Sequence, residues 1–123
     1  MMSIWTPVLF GLTGLLLFSG CSGRPSFPTV GQLAEAGQLP PDADRNQLSD
    51  GRIIMLTQCH GCHRIYRPAE YKPEQWPSIS RRMGKLTKFS REETDCLRAY
   101  SVLTSRWLRT PIPPEPPVPS EQK

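Results

Sequence analysis

Cys59-His60-Gly61-Cys62-His63 concentrates two thiols and an imidazole that directly follows the second of them. Thiols three positions apart on one helical turn can reach the two vinyl groups of a single porphyrin and close two thioether bonds. A histidine placed immediately after them lies beneath the iron and supplies a ring nitrogen to it. The C-x-x-C-H spacing therefore reads as covalent attachment of one haem c through Cys59 and Cys62, with His63 as the proximal iron ligand. Zinc is the competing chemistry, drawing on Cys59, Cys62, His63 and either His60 or Cys96. A structural zinc site takes two pairs of ligands from separate knuckles, whereas this chain offers one compact cluster. Hydrolytic catalysis has no support. There is no Ser-His-Asp arrangement, and the paired carboxylates Glu92-Glu93 fall in a helix-capping sequence.

Iron in an electron carrier is usually held by His and Met or by two His. His60 lies within the attachment turn and cannot reach the opposite face of a bound ring. Met55 precedes the turn on the same stretch and would need a sharp reversal. Met83 follows on a separate apolar stripe and is the candidate distal ligand; its other role is to fill a core gap, as most helix-face methionines do. Lys85 and Lys88 are remoter alternatives. Trp76 and Tyr100 are candidate haem-packing aromatics, or ordinary core residues, and one role does not exclude the other.

Three helices are expected to position these groups. Ser49 or Asp50 can cap a helix through Gly51–Gln58 into the motif, with Ile53, Ile54 and Leu56, joined by Met55, on its apolar side. A second helix starts near Pro73 or Pro77 and carries Trp76, Ile79 and Met83 as one stripe. The third opens on the capping box Ser90-Arg91-Glu92-Glu93 and sets Leu97, Tyr100, Leu103, Thr104 and Trp107 on one face. Between the first two, Arg64 to Lys72 reads as irregular chain broken by Pro68.

This succession resembles the class I c-type cytochromes over about half of the chain. The resemblance implies an all-α, compact cytochrome c-like domain around one covalently bound haem, and one-electron transfer as its work. It further implies that a loop proline carbonyl, here that of Pro68, orients the proximal ring. A ligating histidine needs its other nitrogen held by an acceptor, and any backbone carbonyl from Ile65 to Pro68 could serve. The domain is placed at residues 50–109, a size that is marginal without a staple, and a triply bonded haem is such a staple.

The flanks read differently. Residues 1–20 look like a secretory signal, because the uncharged run from Pro7 to Phe18 is shorter than the about 20 residues a membrane span needs. Phe18-Ser19-Gly20-Cys21 resembles the lipobox of bacterial lipoproteins, with Phe18 where Leu is usual. That resemblance implies cleavage before Cys21, lipid on Cys21, and, with Ser22 next, sorting to the outer membrane. Residues 21–49 are rich in Gly, Pro and polar residues and read as a lipidated, disordered tether with one helical turn at Gln32–Ala36. The Pro-rich tail at 110–123 reads as extended or disordered. Cys96 is then left over as a small buried thiol.

The formal net charge is +4. Between Asp50 and Trp107 eleven bases oppose six acids, which gives +5 before two haem propionates lower it. A basic exported face of this size suits an acidic docking face on a redox protein partner and does not call for nucleic acid. The expectation is a lipid-anchored electron carrier on the periplasmic side of the membrane, or the haem subunit of an oxidoreductase, with no enzymatic activity of its own. If Met83 does not bind iron, the alternative is a five-coordinate sensor of gases or peroxide.

Overall fold

The structure is a computed structural model that describes residues 23–112. Among these the regular structure is wholly helical, which makes the fold all-α. Helix α1 spans Val30–Glu35, α2 Arg45–Gln58, α3 Trp76–Thr87 and α4 Arg91–Arg109, with short 3-10 turns at Pro68–Glu70 and Pro73–Gln75. The expected signal segment, Cys21 and most of the Pro-rich tail lie outside the described residues. No helix among the described residues is long and apolar enough to cross a membrane.

Helix α2 begins earlier than its expected caps, Ser49 and Asp50. The Asp44 carboxylate accepts the backbone N–H groups of Asn46 and Gln47 at 2.9 and 3.1 Å, so the first turn is closed before Ser49 is reached. Helix α4 starts where its capping box puts it. Ser90 Oγ accepts the Glu93 N–H at 3.1 Å, and Glu93 Oε2 accepts the Ser90 N–H at 2.7 Å. Helix α3 follows the 3-10 turn at Pro73–Gln75 directly, with Pro77 in its first turn, where a missing N–H costs nothing. It ends at Lys88, whose φ of 58° is left-handed, and the Phe89 N–H then folds back onto the Gly84 carbonyl at 2.9 Å.

Two close approaches lock the helices. A methyl group on Gly51 of α2 would overlap the Cys96 carbonyl of α4 and lie 2.8 Å from the Tyr100 Cβ, so only glycine allows this crossing. Gly84 of α3 packs on the Thr94 side chain of α4 in the same manner. Since α3 and α4 are joined by a tight turn and Gly84 faces Thr94, the two helices run antiparallel. The core between them is Leu48, Met55, Trp76, Leu97 and Tyr100, with Ile54, Ile79 and Leu103 packed at its margin.

The stretch read as a tether is instead part of the domain. Pro28 and Leu33 are fully buried, and Leu48 joins the core. Two side chains of the helical body hold the segment, and one side chain of the segment holds the body. Tyr100 donates its hydroxyl to the Pro28 carbonyl at 3.0 Å, and Arg52 Nε donates to the Phe27 carbonyl at 3.1 Å. Arg24 donates to the Trp107 and Thr110 carbonyls at 2.6 and 2.5 Å and lies 5.0 Å from the centre of the Trp107 ring. The prolines that look like linker residues set an extended strap, in which carbonyls that a helix would use internally stay free to accept these bonds. Among the described residues the packed body thus includes the stretch from Arg24 onward and does not begin at residue 50. The helical turn expected at Gln32–Ala36 exists as α1, closed by a Thr29–Gln32 capping box.

Candidate functional site

Helix α2 ends at Gln58, and the chain then turns through Cys59, Cys62 and His63 opposite the apolar stripe of α3. Between them lies a cleft of about 450 Å³, within the roughly 300–1,000 Å³ usual for small-molecule and cofactor sites. Cys59, Cys62, His63, Trp76 and Met83 all line it, so five of the residues singled out from the sequence meet in one place. The walls are mostly apolar, completed by Met55, Ile79, Leu86 and Leu97, with Gln58, Arg82 and Thr87 among the polar contributors.

Tyr100 is the exception. It is wholly buried and does not reach the cleft, because its ring lies at the α2–α4 crossing and its hydroxyl is committed to Pro28. Helical periodicity put it on the buried face of α4 correctly but could not say which neighbour that face meets. Burial also pushes its phenol up to about 12.

His63 Nδ1 lies 2.7 Å from the Arg64 carbonyl. A carbonyl can only accept, so Nδ1 is the donor of this bond, and Nε2 is the ring nitrogen left for a metal. The orienting carbonyl is therefore that of Arg64, outside the Ile65–Pro68 stretch expected to provide it. The Pro68 carbonyl is already used by the indole N–H of Trp76, at 3.0 Å. That bond fixes the Trp76 ring against the cleft and ties the start of α3 to the loop after the motif.

The loop itself is held by charge and aromatic stacking. Arg64 donates twice to the Glu70 carboxylate, at 2.9 and 2.6 Å, and its guanidinium lies 4.5 Å from the Tyr66 ring centre. The Arg67 N–H donates to the same carboxylate at 2.8 Å. The Arg64 hydrogen bond, with that backbone bond second, holds the Glu70 carboxyl down at about 2. His63, Tyr66, Tyr71 and Trp76 form a row of rings with successive centres 5.0, 5.6 and 5.6 Å apart. Tyr66 and Tyr71 line the cleft, yet sequence reasoning passed over them because they fall in a segment without helical periodicity. Two tyrosines so close to the motif, bracketing Pro68, were the available signal.

The thiols differ in setting. Cys59 is half-buried, and burial raises its pKa; Cys62 is exposed. Both Met83 on α3 and Met55 on α2 face the cleft, Met83 half-buried and Met55 almost completely enclosed. Cys96 is buried, as expected of a small core thiol, and lies at the α2–α4 crossing rather than on the cleft. Burial, and after it the carboxylates Asp50, Glu92, Asp44 and Asp95, push its thiol up. Among the described residues no three His, Cys, Asp or Glu side chains converge to hold a metal ion by themselves. Compared with protein-family models, with curated proteins and with solved structures, the chain gives no match.

Proposed function

We propose that this chain is a monohaem c-type cytochrome, anchored by lipid on Cys21 and working as a periplasmic one-electron carrier or the haem subunit of an oxidoreductase. One observation carries the reading: both thiols and the imidazole of C-x-x-C-H line a single apolar cleft together with a methionine from a facing helix. The donor set fits the group, since Nδ1 of His63 is engaged by the Arg64 carbonyl and Nε2 is left for iron. Cys59 and Cys62 would hold the porphyrin as thioethers, His63 would ligate from one side, and Met83 from the other. When bound, haem supplies a metal that changes oxidation state by one electron.

The chain's own residues account for the rest. Trp76, Tyr71 and Leu97 exclude water from the cleft, and a low local dielectric favours the less charged oxidation state. The Arg64–Glu70 pair ties the residue whose carbonyl accepts from the His63 ring to the loop after the motif. At the cleft margin Leu86 is 68% exposed, with Arg81, Arg82 and Lys85 exposed on the same helix. An apolar centre with basic surroundings suits a transient acidic redox partner.

The test is direct. Protein expressed with its leader in a host that matures c-type cytochromes is denatured, and the pyridine haemochrome spectrum is read. One covalent haem per chain is expected, and none after Cys59→Ser with Cys62→Ser. A wild type that folds and leaves the host without covalent haem refutes the reading.

A further inference from the structure

The strap that replaces the expected tether has a mechanical consequence at the lipid-bearing end. Arg24 is fixed at three points: two carbonyls in and after the last turn of α4, and the face of Trp107. The Trp107 carbonyl also takes the Thr110 N–H at 3.1 Å, and both carbonyls sit at the negative end of the helix dipole, where a guanidinium is favoured. Only three peptide units separate Arg24 from Cys21, a reach of about 10 Å when fully extended. The next holds follow within four residues, at Phe27 and Pro28.

We propose that the surface formed by Arg24 and the last turn of α4 is apposed to the lipid bilayer, and that the Arg24 clamp fixes the tilt of the whole domain on the membrane. The proposal rests on lipidation of Cys21. Exposed Arg106 and Arg109 flank the clamp and present positive charge toward headgroup phosphates. Arg109 also donates to the Ala69 carbonyl at 2.9 Å, and Ser105 donates to the Tyr71 carbonyl at 2.6 Å, which brings the loop after the motif to the same end of α4. The opposite end is different in kind. Helix α4 is 19 residues long, about 28 Å at 1.5 Å per residue, and α3 runs antiparallel to it. Lys85, Leu86 and Lys88 therefore stand away from the bilayer, where a soluble partner can reach them, while the Tyr66–Tyr71 wall of the cleft faces down.

Spin labels report the heights. The mature lipidated protein, carrying a nitroxide at Arg106→Cys or at Lys88→Cys, is placed in phosphatidylethanolamine–phosphatidylglycerol vesicles doped with a nickel-chelating lipid. The label at 106 should be relaxed several-fold more strongly than the label at 88. Inserting a ten-residue Gly-Ser segment between Ser22 and Gly23 leaves the clamp intact but should erase the difference, and Arg24→Ala should reduce it. Detergent-phase partitioning is measured first. A wild type in the aqueous phase overturns the lipid anchor and this inference together. A membrane-bound wild type with equal relaxation at both positions overturns the inference alone.

Discussion

Gly51→Ala tests the α2–α4 crossing without touching the cleft. The added methyl would collide with the Cys96 carbonyl and meet the Tyr100 Cβ at 2.8 Å. Neither obstacle can turn away, because one is backbone and the other is the first side-chain atom of a fully buried ring. Overpacking of a rigid site costs about 1–3 kcal/mol, and this one belongs at the upper end. Against it stands the gain of about 1 kcal/mol from replacing a mid-helix glycine by alanine. The net loss is about 2 kcal/mol, and at roughly 4–8 °C per kcal/mol for a domain of this size the midpoint should fall by about 8–16 °C. Gly31→Ala is the control of opposite sign. Its new methyl has only Thr29 Oγ1 nearby, at 3.7 Å, so the helix-propensity gain stands uncancelled. Thermal unfolding followed by far-ultraviolet circular dichroism compares the two variants with the wild type. If Gly51→Ala melts with or above the wild type, the two helices do not cross this closely.

On the proposed haem ligation, Met83→Ala should remove the sulfur-to-iron charge-transfer band of the oxidised protein, admit carbon monoxide to the reduced protein and lower the potential, since thioether ligation favours ferrous iron. Persistence of the band in that variant, with its loss in Met55→Ala, would transfer the ligand role to Met55, whereas a wild type lacking the band and binding carbon monoxide would favour the sensor. Glu70→Gln should make stability less sensitive to low pH: the depressed carboxyl stabilises the fold fully above its ordinary value of 4.5 and loses that contribution as pH falls toward about 2, so acid titration of the melting point should show a steeper decline in the wild type than in the variant. Tyr100→Phe should cost about 1 kcal/mol through the stranded Pro28 carbonyl. It should also abolish an alkaline loss of stability that begins near the ordinary phenol value of 10 and runs to about 12, because the wild-type phenol holds its proton more tightly when folded.

What the sequence revealed about the fold depended on how far apart the interacting residues lie. The Ser90 capping box was legible because all its parts sit within one turn, and the Trp76–Ile79–Met83 stripe because periodicity records a buried face directly. The start of α2 was less so, since Asp44, Ser49 and Asp50 are all competent caps and local chemistry does not rank them. Of the strap only the helical turn at Gln32–Ala36 was legible, not its packing. Pro28 and Leu33 show no period, and their partners lie far along the chain, Tyr100 being 72 residues from Pro28. In the cleft, residue types and spacing singled out Cys59, Cys62, His63, Trp76 and Met83. The aromatic wall and the Arg64 carbonyl came from a loop whose shape is set by an ion pair and by stacked rings, neither of which leaves a periodic trace.

Arg24 meets Trp107 and Thr110 across separations of 83 and 86 residues, so one end of the described body is held by the other. Closing a loop of that length costs about 4 kcal/mol in chain entropy, and contacts of such range are acquired late in folding. The strap cannot settle until α4 has emerged and formed its final turn. The strap therefore finds its place only after the helical body that holds it has formed. Truncation after α4 is begun but before residue 107 would leave Arg24 with nothing to hold, and the amino-terminal segment would then be the first part open to proteases.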